Sequence, residues 1–516
     1  VKTSTTSSAP PRTRLAAIAG LALAIAALLL PAGSAASSTQ LSIMQDDATF
    51  LYGSGHDPEA AMAEAKVLGV DAIRVFISWH SVSPNQSSRR RPAGFDVGDP
   101  NSAGYNWGLY DALVDRARRH GMKLLVTLAP PMPFWASEKP SRCPHRIGGY
   151  GNLTKSCMWK PAPRLFAQFV KAVARRYGTR AAGPYGGQVA LWSLWNEPNL
   201  EHYLWPQLQR TRLGPIDLGA ARYRQLWIAG QKAIAAYDPP SASKVLFGDT
   251  AAISSPTDTL YAALCLDEDG RPFKGRLRSL HGCGGRVKKL PIAGLALHPY
   301  NNYAIGSVFT RSHTKDSLPM GYLGRAHTLL DRAARHRRIP GGRGIYITEF
   351  GFQSSPPDPF GDALSVNRHA AAINEADRLF FGDRRIKSVA QYELFDVADP
   401  ADFNTGLRFD DGRPKPAWDA YRMPLVVSRL KPSLVEVWGQ VRPATGRVRA
   451  EIVIASGSSK GVRVGRPLTN GAGYYRFRVR RGGASRLRYR ASWASPNGET
   501  LRSRVASAGR PIKYHE

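Results

Sequence analysis

Between residues 41 and 426 the sequence repeats one pattern eight times: a short apolar run, then an amphipathic stretch. The runs are Leu41–Met44, Ala72–Ile77, Lys123–Leu128, Val189–Trp195, Lys244–Gly248, Gly294–His298, Gly344–Thr348 and Ser388–Leu394. Most are continuous aliphatic or β-branched segments, as expected of parallel strands buried on both faces. Helical periodicity lies between them. Leu109, Leu113, Val114 and Ala117 share one face of the stretch 106–120, and Phe166, Phe169, Val170, Val173 and Tyr177 share another. Further helices are expected over 220–237, 320–336 and 365–381, whereas the segment between the fifth and sixth runs reads as a looped insertion. Strands alternating with helices in this number predict a (β/α)8 TIM barrel over 41–426. An open doubly wound sheet is the competing arrangement, but no glycine-rich phosphate fingerprint follows any run.

From Leu434 the period changes to two. Val448, Ala450, Ile452 and Ile454 occupy every second position. Tyr475, Phe477 and Val479 alternate with Arg476, Arg478 and Arg480, and Leu487, Tyr489, Ala491 and Trp493 with Arg486, Arg488 and Arg490. Half-buried antiparallel strands bounded by glycine-rich turns have this signature, so residues 432–512 are expected to form a β-sandwich of about seven strands, immunoglobulin- or fibronectin-like.

Arg12 and Arg14 precede an apolar run over 15–30, and small residues follow at 31–35. Residues 1–36 thus read as a signal peptide, the competing reading being an uncleaved anchor. The mature protein is expected to be secreted, extracellular and monomeric. The four cysteines, Cys143, Cys157, Cys265 and Cys283, all follow that segment. An even count in an exported chain implies disulfides. Three pairings are possible, and chain proximity favours Cys143–Cys157 with Cys265–Cys283.

The formal net charge is +32. It reads as spread along the chain, with no zinc-finger or RNA-recognition signature to favour nucleic acid. The arginine rows near residues 476–490 suit either contact with a cell wall or other anionic polymer, or protection of exposed strands from edge pairing.

In a barrel of this kind, chemistry stands at the C-terminal ends of the strands. The fourth run ends Leu194-Trp195-Asn196-Glu197-Pro198-Asn199, and the seventh Ile347-Thr348-Glu349-Phe350-Gly351. Each sets one glutamate just beyond an apolar run, where an unpaired carboxylate is costly. Two carboxylates facing each other across the barrel mouth suit cleavage of a glycosidic bond: one protonated to donate, one ionised to attack. No metal or organic cofactor is implied, because acid, base and nucleophile are all side chains.

These two strand ends resemble those of clan A glycoside hydrolases. Asn-Glu-Pro-Asn is similar to families 39 and 5, and Thr-Glu-Phe-Gly to family 5. The resemblance implies that Glu197 is the general acid/base and Glu349 the nucleophile of a retaining enzyme acting on oligo- or polysaccharides. Arg74 looks like the clan arginine beside the nucleophile, and Asn196 like the asparagine that bonds the sugar 2-hydroxyl. His298 and Tyr300 resemble residues lining the site, with Tyr300 donating to Glu349. Many members carry a tryptophan at the end of strand eight, where Tyr392 stands here. Trp79, Trp135, Tyr203 and Trp205 are further candidates for stacking on sugar rings. An α-L-arabinofuranosidase of the same clan and a non-catalytic carbohydrate-binding protein are the alternatives.

Overall fold

The computed structural model describes residues 39–144, 156–301, 304–312, 314–455 and 461–515. The expected signal peptide lies outside them. Eight strands close into a barrel: β1 (Leu41–Gln45), β2 (Ala72–Ser78), β3 (Lys123–Ala129), β4 (Val189–Leu194), β5 (Val245–Ala251), β6 (Gly294–His298), β7 (Gly344–Phe350) and β8 (Ile386–Tyr392). They follow one another round the ring in chain order, every neighbouring pair parallel, and β8 closes on β1 through Leu41↔Ser388 to Gln45↔Tyr392. Both faces of each strand are therefore covered, which is why the runs are continuous rather than alternating.

The helices pack outside. They include α1 (Pro58–Val67), α2 (Gly108–Arg119), α3 (Pro163–Tyr177), α4 (Leu218–Tyr237), α5 (Pro256–Ala263), α6 (Gly324–Arg335) and α7 (Val366–Phe381). Helix α5 lies in the segment expected to be only a loop; its Pro at the first helical turn and its apolar residues Leu260, Tyr261, Ala262 and Ala263 form one short buried helix. In α2 the buried face is Tyr110, Leu113, Val114 and Ala117, and Leu109 is turned to solvent at 48% exposure. The cysteines pair as Cys143–Cys157 and Cys265–Cys283. Among the described residues no helix is long and apolar enough to cross a membrane.

The C-terminal module is one eight-stranded, mostly antiparallel sheet: β9 (Leu425–Lys431), β10 (Leu434–Gln440), β11 (Glu451–Ile454), β12 (Val462–Gly465), β13 (Tyr474–Arg480), β14 (Arg488–Ala494), β15 (Thr500–Arg502) and β16 (Ala506–Gly509). Its order is β12-β11-β14-β16-β9-β10-β13, with β15 on β14. Val427, Val437, Ile452, Tyr475, Tyr489 and Ala506, from six of these strands, share one core, so the sheet is wrapped round on itself.

Strand β9 starts inside the stretch read from sequence as the end of the barrel. It shows no alternation because its outer face is covered too: Val426 joins Trp438 and Tyr474 against Phe381 of α7. Ion pairs cross the same boundary, Arg442–Asp377 at 2.9 Å and Arg378–Glu436 at 3.2 Å.

Candidate active site

The inward positions of the barrel strands decide where chemistry can stand. Ile43, Ala72, Leu125, Leu191, Leu246, Ala296 and Ala390 fill the interior as one apolar layer, with Tyr346 packed on it. Two residues further along each strand the next inward side chain must fall. There the sequence supplies Gln45, Arg74, Thr127, Ser193, His298, Thr348 and Tyr392. The interior changes from apolar to polar in one step, on the side where the strands end.

That polar layer is tied together by Arg74 and Asp249. The fully buried Arg74 donates from Nη2 to Asp249 Oδ2 at 2.8 Å and to Asn196 Oδ1 at 3.1 Å, from Nε to Thr127 Oγ1 at 3.2 Å, and from Nη1 to Gln45. Its Nη1 also lies 3.3 Å from Glu349 Oε2. Asp249 accepts from Ser193 Oγ at 2.9 Å and Thr348 Oγ1 at 2.5 Å, and its Oδ1 lies 3.1 Å from His298 Nε2.

Above this layer His298 Nδ1 stands 2.8 Å from Glu197 Oε1 and 2.8 Å from Glu349 Oε2. The two glutamate side chains are 12% and 11% exposed, so both remain reachable from the barrel mouth. One carboxylate oxygen of each and a nitrogen of His298 lie within 4.8 Å of one another. Such a triad has the shape of a divalent-cation site. To ligate a metal His298 must give up the Nδ1 proton, however, and its charged neighbours oppose that.

Burial alone would lower the His298 pKa, but Glu349 and Asp249 outweigh it and raise it well above the ordinary value. The imidazolium then donates from both nitrogens. Burial raises Glu197, the charge of Glu349 raises it further, and the opposing pull of His298 leaves it above the usual carboxylate range. Burial would raise Glu349 as well, but His298 and Arg74 together hold it below. Burial of Asp249 is likewise overcome by Arg74 and His298, which keep it well below its ordinary value. Arg74 and a charged His298 balance Asp249 and Glu349, so ionising Glu197 as well would add an uncompensated negative charge to the buried group.

Backbone geometry aims these side chains. Trp195, Glu197 and Asp249 have φ of 96°, 41° and 53°, a region that non-glycine residues enter at a cost of about 1–3 kcal/mol each. In an extended strand Asn196 and Glu197 would face opposite ways. Here Trp195 is pinned outward, its Nε1 donating to Tyr203 O at 3.0 Å and its ring against Phe166, while both following residues reach the barrel axis. The turn is held by Glu197 N donating to Asp249 O at 2.9 Å and by Asn199, whose amide bonds Ala251 and Ile253.

The structure thus brings Arg74, Asn196, Glu197, His298 and Glu349 together. Tyr392 is half-buried at the same mouth, close enough to Glu349 and Tyr203 for their charges to bear on its hydroxyl. Tyr300 packs edge-on to Phe403 at 5.1 Å, and Phe403 lies 6.0 Å from Tyr392, giving an aromatic wall. The expected bond from Tyr300 to Glu349 is not made: the hydroxyl is buried and finds no hydrogen-bond partner among the described residues.

Trp79 and Trp135 are corrections. Trp79 is fully buried, stacked on Phe169 of α3 at 5.4 Å, and Trp135 meets it edge-on while donating to Pro84 O. Both belong to the layer between strands and helices and have no free face for a sugar. Trp205 packs near Trp159 at 6.5 Å.

Two residues escaped the sequence reading. Asp249 lies beyond Gly248, where the fifth apolar run was expected to end, and no motif marks it. Phe76 is two residues beyond Arg74 on β2, half-buried at the mouth, with the Arg74 guanidinium 4.7 Å from its ring centre. The parity of Arg74 was the signal that could have found it, and the same parity turns Trp79 outward.

No family model matches the chain, and no curated protein does. Among solved structures, a glucosidase from Croceicoccus marinus is similar at 13% identity and TM-score 0.49, covering 86% of this chain and 94% of that one. The intracellular xylanase TsXylA of Thermoanaerobacterium saccharolyticum is similar at 15% identity and TM-score 0.41, covering 75% and 97%. Fpglu1 from Fervidobacterium pennivoraus is similar at 12% identity and TM-score 0.43, covering 70% and 81%. At such low identity the side chains, not the likeness, define the chemistry of this site.

Proposed function

We propose that this chain is an exported, retaining glycoside hydrolase that cleaves β-glycosidic bonds of oligo- or polysaccharides, with Glu197 as general acid/base and Glu349 as nucleophile. The observation that carries this reading is the pairing of Glu197 with Glu349 around His298 Nδ1, their nearest oxygens within 4.8 Å, one carboxyl pushed up and the other held down. Retention needs carboxyl groups about 5–5.5 Å apart, whereas inversion needs about 6.5–9.5 Å to admit a water.

In the first step Glu197 gives its proton to the departing oxygen as Glu349 Oε attacks the anomeric carbon. A glycosyl ester forms on Glu349 and the glycosidic bond breaks. Glu349 has then lost its charge, so one of the influences raising Glu197 disappears. Glu197, now ionised beside the His298 imidazolium, takes a proton from the incoming water, which opens the ester and restores both groups. Asp249 touches no substrate. It acts as a positioning residue, keeping His298 charged and Arg74 aimed at Glu349. Tyr392, Phe76 and Phe403 supply apolar faces for sugar C–H groups, and Asn196, fixed by Arg74, faces the 2-hydroxyl. The two disulfides suit an extracellular setting.

The test is turnover of a panel of aryl β-glycosides by the intact chain and by Glu349→Gln. Cleavage by the former and a loss of about 10⁴-fold or more in the latter are expected. Equal rates in the two would overturn the assignment.

A further inference from the structure

The positive charge is not evenly distributed. Residues 425–516 hold 19 Lys and Arg against four Asp and Glu, and 16 of the 19 are arginine. On β13, Arg476, Arg478 and Arg480 point outward, level with Trp438, Glu436 and Leu434 of β10. On the other side, Arg463 of β12 is level with Val453 of β11, which is level with Arg490 of β14. Arg488 shares the outward parity of Arg490, and Arg502 of β15 pairs with Ser492. The two arginine sets stand on either side of the opening of the sheet, towards its two end strands. One contact bridges that opening: a Cβ on Gly465 of β12 would meet the Phe477 ring of β13 at 2.6 Å.

Carboxylates on this surface are few. Glu436 lies 3.7 Å from Arg476 and Glu451 3.5 Å from Arg463. Arg478, Arg480, Arg488, Arg490 and Arg502 have no carboxylate partner among the described residues, and the buried Arg490 Nε has no hydrogen-bond partner either. Protection of a sheet edge explains arginines on β13, an end strand. It does not explain Arg488 and Arg490, because β14 is interior, paired on both sides with β11 and β16. Nor does the surface suit single-stranded nucleic acid. Of the aromatic side chains of these strands, Tyr475, Phe477, Tyr489 and Trp493 pack on the inner core and Tyr474, on the outer face, is buried against Phe381, which leaves no platform for bases.

We propose that this arginine surface of the C-terminal module holds an acidic polysaccharide, whose carboxylates are received by the guanidinium forks. The choice of a glycan rests on the glycoside hydrolase reading of the barrel. Binding is measured without turnover, so the two stand or fall separately.

The experiment compares affinity of the full chain for polygalacturonate, a neutral β-glucan and single-stranded DNA, in NaCl of about 0.15 M. Arg478→Glu/Arg480→Glu/Arg488→Glu is set against a charge-matched barrel variant, Arg276→Glu/Lys288→Glu/Lys289→Glu, all exposed positions. Polygalacturonate affinity should fall at least about tenfold in the module variant and less than about twofold in the barrel variant, with no binding of the neutral glucan. The same three module positions changed to Gln, checked by Tm, provide a milder series in which the loss should persist at about half the magnitude on a logarithmic scale. Equal losses in module and barrel variants would reduce the contact to net charge and overturn the proposal, as would tighter binding of DNA than of polygalacturonate.

Discussion

Asp249 lies beneath His298, its Oδ1 3.1 Å from the imidazole Nε2, and both side chains are fully buried. Through that contact a buried aspartate adds to the influence of Glu349 in keeping charged the group that stands between two carboxylates.

Replacing it by asparagine is therefore expected to act at a distance. In Asp249→Asn the His298 pKa falls, the imidazolium is lost at lower pH, and Glu349 loses one of the two cations that hold it down. The acid limb of kcat/KM should move upward. The stability change has a defined sign. A depressed Asp249 stabilises the fold above its unfolded pKa, near 4 for an ordinary Asp (about 3.9), and that contribution is lost as pH falls through its lower folded value. A raised His298 stabilises below its unfolded value of about 6.5, with loss as pH climbs through its higher folded one. Between those limits, breaking the buried pair should cost about 3–5 kcal/mol, read by urea unfolding.

The two glutamates predict a bell-shaped profile. The proposed double displacement needs Glu349 ionised and Glu197 protonated, so the rising limb should follow the lowered group and the falling limb the raised one. Carbon-13 NMR of Glu349→Gln should find the Glu197 pKa reduced but still above its ordinary value, because burial raises it more than the Glu349 charge does. A return all the way to that value would show that the partner's charge alone had raised it.

Tyr300→Phe removes a hydroxyl that is buried without a partner among the described residues. Stability should stay the same or rise by about 1 kcal/mol, since an unsatisfied group is lost. Turnover should nevertheless fall about tenfold if the orphaned hydroxyl meets the bound sugar or Glu349 in the complex. Thermal unfolding and kcat/KM measured on one preparation check both.

Trp79→Ala and Tyr392→Ala should separate core from cleft. The first empties a site between β2 and α3 and should cost about 3–5 kcal/mol, leaving the KM of the surviving folded protein near its original value. The second should raise KM with little change in Tm, as expected of a half-buried ring at the mouth.

The barrel was readable because a parallel strand covered on both faces has no alternation to hide, and each apolar run lies within a few residues of its strand. The same continuity concealed β9, which is covered by α7 and so looked like barrel rather than sheet. Glu197 and Glu349 were legible as acids at the ends of apolar runs. Asp249 was not, because the register with β6 slips between Gly248 and Thr250, and the irregularity that aims it inward leaves no pattern in the sequence. Trp79 misled for a related reason. An aromatic at a strand end reads alike whether it faces the cleft or the helices, and only counting from Arg74 distinguishes them.

Proton NMR of the first product formed from a β-linked substrate tests the double displacement most directly. Attack by Glu349 followed by water returns the sugar in the β configuration, with the α anomer appearing later by mutarotation. An α anomer formed first would mean a single displacement by water, incompatible with carboxylates this close together.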